Sequence, residues 1–411
     1  MKRKLRFTLL LFLIAHISFS QIQIKGVVSS EDNQQLQGAY VFFNNTTFGT
    51  VTNKKGGFSL AINEGKHTLI IAHLGYETIQ YEIDINEKSS NKNFTFLLKV
   101  KEDILDEVVI NSGKRKKLKQ NNYNLKKFKK AFLGETKFAK KCSIDNPEAL
   151  KYYYNESTKT FTAKAVEPLI IINKSLGYKA YYNLEKFELR KDYSAYFGFV
   201  QYKELAGKDR DKKRWQKNRL TAYKGSRMHF FRTIISGSSQ KEGFSIDLLK
   251  KYPNKNYPTD KEIDFSERVL AFHYNKKTPI NFDKKITKPR SQLDSAIVIK
   301  KRSTQKRYID SIIQKNIPYE SISFKTDHRT FLTFKNFLKV TYTKEKEESN
   351  YNKLYKSSDK QVSSFSIIEA PEQILPLGKL TNPANIIEQG YWAFERFANS
   401  LPLDYQPPKE E

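Results

Sequence analysis

The feature that most constrains the fold is a series of short apolar segments, evenly spaced between residues 21 and 99 and separated by turn residues. None of them shows the 3.6-residue period of a helix, and Gly, Asn and Asp fill the gaps. Segments of this length and spacing are typical of the strands of a small antiparallel sandwich. The predicted strands are 22–29, 38–44, 58–62, 67–73, 77–85 and 93–99.

The glycines between these strands form a recognisable pattern with the apolar residues around them: Gly26, Leu36, Gly38, Val41, Gly49-Thr50, Gly56, Phe58, Gly65, Leu69 and Gly75-Tyr76. Residues 21–110 thereby resemble the carboxypeptidase regulatory-like domain. The resemblance implies a seven-stranded antiparallel sandwich of the transthyretin-like type. Asn53 departs from the pattern, because the family usually has Asp there, and a turn tolerates that change.

The segment after the sandwich, Ile104 to Asn111, is similar to the stretch that follows the same domain in outer-membrane transporters energised through TonB. The resemblance implies a place close to the contact with TonB. Two interpretations remain open at this point. The segment is either one more strand of this chain or an extended peptide that pairs with the sheet edge of another protein.

Residues 1–20 have the layout of a secretory signal peptide. Basic residues precede the apolar run 7–17, and Ser18 and Ser20 supply the small side chains that a signal peptidase requires. We therefore expect cleavage after Ser20 and export. The run is about eleven residues, short of the roughly 20 that span a bilayer, and no other segment approaches that length, so no transmembrane helix is predicted.

The net charge of +29 is concentrated after the sandwich, where residues 114–141 contain twelve bases and one acid. We expect a basic linker over 111–145 that ends in a short helix with Leu125, Phe128 and Phe132 on one face. The functional interpretation is a contact with anionic lipid or polysaccharide, and the alternative is a solvated surface. The residues proposed for that contact are Lys114, Arg115, Lys116, Lys117 and Lys119.

Residues 146–411 are expected to form a strand-rich α+β domain with two long amphipathic helices, over 209–235 and 384–399. A strand is among the elements predicted between them, at 268–274. On the first helix Trp215, Arg219, Tyr223, Ser226, Phe230 and Thr233 follow steps of three and four residues. Arg219, Tyr223, Ser226 and the adjacent His229 are the candidate recognition cluster, and the alternative is that this stripe is core.

A search for catalytic motifs identifies no reaction. The histidines are scattered and none begins a zinc-peptidase motif, so no catalytic, cofactor-binding or metal residue is predicted and no cofactor is expected. The single cysteine, Cys142, excludes an internal disulfide and is expected to be an inert thiol. Tyrosines that could stack on sugars are Tyr152, Tyr153, Tyr154, Tyr181 and Tyr182, although tyrosines in strands usually form sheet faces.

Several stretches beyond residue 130 resemble the uncharacterised region that accompanies such sandwiches in exported proteins, among them Phe132-Leu133-Gly134 and Gly390-Tyr391-Trp392. The sequence therefore predicts an exported, non-catalytic binding, adaptor or structural protein of the Gram-negative cell envelope. We expect it in the periplasm or at the periphery of the outer membrane, with an envelope protein or an anionic surface as its partner and not a nucleic acid. The alternatives are a hydrolase centred on Arg219, Tyr223, Ser226 and His229, and a carbohydrate-binding protein.

Overall fold

The computed structural model describes residues 21–101, 115–119, 121–355 and 359–408. Strands predominate over helices, and they form five sheets. The predicted class, mainly β with α, is confirmed. The predicted signal peptide and the segment 104–111 lie outside the described residues.

The N-terminal seven strands form two sheets, with strand orders β4-β1-β7 and β3-β2-β5-β6. One buried core lies between them, with Ile24 and Phe96 from the first sheet and Phe43 and Leu69 from the second. The predicted seven-stranded sandwich is confirmed. Its strands are β1 Ile22–Ser30, β2 Tyr40–Phe43, β3 Gly49–Val51, β4 Gly57–Ile62, β5 Gly65–Ala72, β6 Ile79–Ile85 and β7 Asn93–Leu98.

One strand pair of the sandwich is parallel, which corrects the expectation of a wholly antiparallel fold. β1 and β7 run in the same direction, with Gly26 opposite Phe94. The reason is the connection before β7, because the chain leaves β6 in the other sheet and crosses through a short 3-10 helix at Glu87–Asn91. A strand that arrives from the opposite sheet is not forced by a hairpin to run antiparallel to its neighbour.

A seven-stranded sheet follows, with the order β8-β10-β11-β13-β12-β9 and with β14 paired to β13. Helix α1, Asn122–Phe132, covers one face and buries Phe128 and Phe132, as the sequence predicts for this short helix. The strands are β8 Arg115–Lys117, β9 Cys142–Ile144, β10 Leu150–Asn155, β11 Thr160–Ala165, β12 Leu169–Asn173, β13 Tyr178–Leu189 and β14 Ser194–Glu204.

Two short parts of the predicted basic linker, β8 and β9, belong to this sheet. β8 pairs with β10, with Lys117 opposite Tyr153, and β9 pairs with β12. The pattern search missed β8 because a strand of three basic residues carries no apolar alternation.

The predicted helix 209–235 is two helices, α2 Asp209–Tyr223 and α3 Arg227–Ser236. The break has a local cause. Gly225 adopts φ +77°, which side-chain-bearing residues rarely adopt, and Ser226 then caps α3 by accepting the backbone N–H of His229.

A five-stranded sheet and a four-stranded sheet enclose a second large core around Phe230 and Phe231 of α3. The five-stranded sheet has the order β16-β15-β19-β20-β23, and the four-stranded sheet has the order β17-β18-β21-β22. Their strands are β15 Phe244–Pro253, β16 Tyr308–Gln314, β17 Ser323–Thr326, β18 Arg329–Leu332, β19 Phe337–Lys346, β20 Lys360–Ile367, β21 Glu372–Leu375, β22 Lys379–Leu380 and β23 Ile386–Gly390. A short helix, α6 Ser349–Tyr355, follows β19.

A helical hairpin stands between β15 and β16, formed by α4 Asp260–Asn275 and α5 Gln292–Arg302. The strand expected at 268–274 is therefore wrong. Thr259 and Glu262 form a capping box, the signal that marks the start of α4 and that the strand interpretation overlooked.

The second long helix expected at 384–399 is also wrong. This segment forms β23, a short helix α7 Tyr391–Glu395 and a 3-10 helix at Phe397–Asn399. β23 completes the five-stranded sheet, with Ile386 opposite Ile367. Pairing with a distant strand has overridden a helical apolar period, and Gly390 at φ +81° ends the strand.

The sandwich meets the seven-stranded sheet at β14. The backbone N–H of Asn45 donates to the carbonyl of Val200 at 2.8 Å, and that of Tyr202 donates to the carbonyl of Thr46 at 2.9 Å. The C-terminal tail closes the same junction, because Asp404 accepts the backbone N–H of Thr47 at 2.9 Å. Backbone and side-chain hydrogen bonds thus connect the two regions directly.

None of the helices in the described ranges combines the length and apolar character needed to cross a bilayer.

Candidate functional site at the turn between α2 and α3

The candidate cluster is built around the turn Lys224 to Ser226, which separates α2 from α3. Gly225 lies at the centre of this turn and packs closely against two neighbouring elements. Its carbonyl accepts the indole N–H of Trp392 at 2.8 Å, and a Cβ there would lie 2.1 Å from Oε1 of Gln361. The turn is therefore held against β20 and α7, and only glycine fits it.

Arg219 lies on α2 before this turn and makes its hydrogen bonds elsewhere. Its Nε donates to the carbonyl of Leu176 at 2.8 Å and its Nη1 donates to Glu204 at 2.7 Å. The guanidinium also stands 4.0 Å from the ring centre of Tyr178. Arg219 thus ties α2 to the turn before β13 and to the end of β14.

His229 is buried on α3 and contacts the turn through its ring. Nδ1 accepts the backbone N–H of Gly225 at 3.1 Å, which leaves the ring proton of the neutral imidazole on Nε2. Nε2 lies 3.7 Å from Oε2 of Glu242. The rings of Tyr223, Phe244 and Tyr342 surround the imidazole.

Ser226 and Tyr223 complete the cluster. Ser226 Oγ accepts the backbone N–H of His229 at 3.2 Å, as the N-cap of α3. The ring of Tyr223 lies 4.7 Å from that of His229 and 5.8 Å from that of Tyr405. Burial raises the pKa of Tyr223, and the guanidinium of Arg232 acts in the opposite direction.

The structure therefore brings together Tyr223, Ser226 and His229, and it places Arg219 at a separate contact. Oγ of Ser226 and Nδ1 of His229 both accept backbone N–H groups, which is how polar side chains hold a turn and a helix start. The sequence search missed Glu242, Trp392 and Tyr405, which join this cluster from elements distant in the chain.

The proposed anionic contact lies only partly within the described residues, since Lys114 is outside them. The backbone of Arg115 and Lys116 belongs to β8, an edge strand of the seven-stranded sheet, and Lys117 and Lys119 are exposed. Exposed Lys126 and Lys130 follow on α1. These described cations extend the basic surface along the helix.

The tyrosines considered for sugar stacking divide between the two faces of the seven-stranded sheet. Tyr152 and Tyr182 are buried in its core and half-buried Tyr154 packs against the same core, whereas half-buried Tyr153 and Tyr181 lie on the other face. The amines of Lys179 and Lys203 lie 5.1 and 5.3 Å from the ring centre of Tyr181. The ring of Tyr181 thus already makes cation–π contacts with these two amines.

Cys142 and Glu395 are buried ionisable groups whose pKa values are strongly raised. Burial raises the pKa of the Cys142 thiol to about 12, which disfavours the reactive thiolate. Burial likewise raises the pKa of Glu395 to about 8, and Asn399 donates to its carboxyl at 3.2 Å. Within the described ranges, no three His, Cys, Asp or Glu side chains are grouped closely enough to hold a metal ion.

Comparison with known proteins gives a match for the N-terminal region. The family model described as CarboxypepD_reg-like domain matches residues 24–110. Two curated relatives are each 32% identical: TonB-dependent receptor SusC of Bacteroides thetaiotaomicron over 115 residues, and TonB-dependent receptor P39 of Formosa agariphila over 91 residues. These alignments cover 26% and 22% of this chain but only 11% and 8% of the receptors, so the chain spans about a tenth of their length.

Two solved structures give weaker matches. A DUF3823 family protein from Bacteroides ovatus is 9% identical with a TM-score of 0.17, covering 46% of this chain and 83% of that one. A protein from Bacteroides fragilis, described as membrane-associated and of unknown function, is 10% identical with a TM-score of 0.16, covering 90% of this chain and 95% of that one. Such scores do not indicate a shared overall fold. The resemblance of the N-terminal sandwich to the carboxypeptidase regulatory-like domain is confirmed by the family match.

Proposed function

We propose that this chain is an exported, non-catalytic binding or adaptor protein of the Gram-negative cell envelope, with residues 1–20 removed after Ser20. One observation carries the non-catalytic part. Nδ1 of His229 accepts the backbone N–H of Gly225 and Oγ of Ser226 accepts that of His229, so both side chains hold the α2–α3 turn, which supports a structural role for them. The envelope location is supported by the signal-like N-terminus and by the domain that this chain shares with proteins named TonB-dependent receptors.

Activity profiling tests this proposal. The purified chain without residues 1–20 is incubated with peptide and glycan substrate libraries beside His229→Ala, with His273→Ala as the matched control on α4. We expect no turnover that depends on His229. Turnover that is lost in His229→Ala and retained in His273→Ala, with both variants folded, would establish the hydrolase instead.

The basic stretch at 114–119 is the proposed contact with the anionic envelope surface. Its position supports this role, because β8 is a sheet edge and the exposed lysines of α1 continue the same charge. Each base close to an anionic surface contributes about 1 kcal/mol at moderate ionic strength. Five bases acting together are therefore expected to hold the protein on such a surface at low salt.

Vesicle retention tests the contact. Vesicles of phosphatidylcholine with phosphatidylglycerol retain the protein at low salt and release it by about 0.5 M, because the Debye length falls from about 30 Å at 0.01 M to about 3 Å at 1 M. Changing Lys114, Arg115, Lys116, Lys117 and Lys119 to Gln should reduce retention strongly. The matched control changes five exposed lysines that form no ion pair with the described residues, namely Lys255, Lys261, Lys285, Lys288 and Lys300. Equal losses from the two sets would mean that only the total charge matters.

A further inference from the structure

The open edge of the five-stranded sheet is a second surface with the features of an interaction site. β16 lies at one end of the strand order of that sheet, and among the described residues it pairs only with β15. All seven of its residues are exposed. An edge strand presents unpaired backbone N–H and C=O groups, and natural proteins usually shorten, charge or cover such an edge.

The exposed side chains of this edge strand are mostly apolar, whereas natural edge strands usually carry charged residues. Tyr308, Ile309, Ile312 and Ile313 are 46%, 54%, 41% and 52% exposed. Because successive side chains of a strand point to opposite faces, Tyr308 and Ile309 give both faces of β16 a large apolar side chain, and Ile312 adds another before the register shifts at Ile313. Tyr252 of β15, opposite Ile309, is also 46% exposed and widens the apolar surface.

Basic residues flank the strand at both ends. Lys306 and Arg307 precede β16 and Lys315 follows it. The single acid of the strand, Asp310, is paired with Lys251 at 2.6 Å. In the described part of the chain, no carboxylate lies within ion-pair distance of Lys306 or Lys315, whereas Arg307 lies 3.5 Å from a carboxylate oxygen of Asp260. Basic residues thus lie at both ends of the apolar edge.

Charge argues against a second copy of the chain as the occupant. In an antiparallel pairing of two β16 strands centred on Ser311, Arg307 of one copy would lie opposite Lys315 of the other. Like charges directly opposite each other destabilise a strand pair. The basic residues before and after β16 instead attract a strand that carries carboxylates at its own ends.

We infer that β16 accepts an extended, acidic segment of another protein as an additional strand of the five-stranded sheet. Backbone hydrogen bonds to the open edge provide affinity. The apolar side chains of β16 select β-branched or other apolar residues in the middle of the segment, and Lys306, Arg307 and Lys315 select carboxylates at its ends. The inference rests on the proposed binding role, but it uses a surface separate from residues 114–119.

A synthetic peptide tests this inference. The probe is a fluorescein-labelled nonapeptide with three valines alternating with two threonines and two glutamates at each end. Fluorescence anisotropy with the full chain should show saturable binding. Two reference peptides should bind at least tenfold more weakly: one with lysines in place of the glutamates, and one with every backbone nitrogen of the five central residues methylated, which keeps the side chains and removes the N–H donors on both edges of the strand.

Variants then locate the site. The double variant Ile309→Glu with Ile313→Glu should weaken probe binding at least tenfold, because it replaces two apolar side chains of the edge with carboxylates. The matched control is Leu74→Glu with Val166→Glu, which changes two apolar residues that are 68% and 60% exposed and lie away from β16, and it should leave binding unchanged. Both double variants are exposed-site changes, and circular dichroism verifies that they are folded.

Three results would overturn the inference. The first is no saturable binding of the acidic probe by the folded wild-type chain. The second is equal binding of the methylated peptide, which cannot add as a strand. The third is a concentration-dependent dimer that Ile309→Glu with Ile313→Glu dissociates, because the edge would then be occupied by a second copy. None of these results depends on vesicle retention through residues 114–119, so the two proposals fail separately.

Discussion

The sandwich and the remainder of the chain build their cores in different ways. Every buried residue of the sandwich core comes from 22–98, a continuous stretch of sequence. The core of the seven-stranded sheet instead joins Phe128 and Phe132 of α1 to Phe397 and Leu401 near the C-terminus. A core made within one continuous stretch can form on its own, whereas the other requires closure of a long loop before it forms. We therefore expect the sandwich to fold on its own and the larger region to depend on contacts between distant segments of its sequence.

The largest expected effect comes from the C-terminal side of the larger core. The ring of Phe397 lies 5.1 Å from that of Phe132 and 5.2 Å from that of Tyr182. Phe397→Ala should lower the unfolding free energy of the larger region by about 3–5 kcal/mol. Urea unfolding followed by hydrogen exchange should show that residues 121–408 lose protection while the sandwich keeps its own.

The matched change in the sandwich is Ile71→Ala, in a fully buried side chain of β5. It should cost about 2–5 kcal/mol and act mainly on residues 21–101. If both variants destabilise both regions equally, the chain unfolds as one cooperative unit and the comparison is wrong.

The folding stability of the two regions should also change with pH in opposite directions. Burial raises the pKa of Glu395 to about 8, and the carboxylates of Glu348, Glu345 and Glu388 act in the same direction. The folded state therefore retains a proton that the unfolded state loses near pH 4.3. The stability that this proton provides is complete below that pH and is lost as pH rises toward about 8, at up to about 1.4 kcal/mol per pH unit.

His67 in the sandwich has the opposite behaviour. Burial lowers its pKa, so the unfolded state binds a proton more readily and the sandwich loses stability as pH falls through the usual histidine range. Unfolding measured from pH 5 to pH 8 should show these opposite slopes in the two regions. Glu395→Gln should flatten the slope of the larger region and leave that of the sandwich unchanged; a slope that persists would assign it to other groups.

Removing the larger region should have a smaller effect on the sandwich. Residues 21–101 alone are expected to keep a cooperative fold, because their core is complete without any later residue. They lose the cover that Phe199 gives to Phe42 and Ile70. Exposing such a side chain costs about 1.5–3 kcal/mol. A fragment that lacks dispersed amide signals in NMR would show that the sandwich depends on its neighbour.

The smallest expected effect is at the junction itself. Asp404 accepts hydrogen bonds from both the backbone N–H and the hydroxyl of Thr47. Asp404→Ala should cost about 1 kcal/mol and increase hydrogen exchange at Thr47 and Tyr202, with the cores unaffected. Asp404→Asn, which keeps one acceptor oxygen, is the control and should lie between the variant and the wild type. Unchanged exchange in Asp404→Ala would mean that the contacts of Asn45 and Thr46 hold the junction without the tail.

Sequence alone determined the local parts of this protein. Six of the seven sandwich strands follow from apolar patterns bounded by turn residues, because alternation and turn chemistry act within a few residues. The short helix α1 follows from its apolar face in the same way. The glycine pattern was equally local, and it was enough to indicate the domain that matches residues 24–110.

Tertiary structure decided whatever depends on distant partners. The segment 386–390 became a strand because β20 offered backbone hydrogen bonds, and β8 formed against β10 without any apolar signal of its own. The candidate cluster shows the same limit. Helical spacing placed Tyr223 near Ser226 and His229, but only the fold brought Trp392, Glu242 and Tyr405 to them and turned Arg219 toward Leu176. Such contacts arise from long-range packing, which no short stretch of sequence encodes.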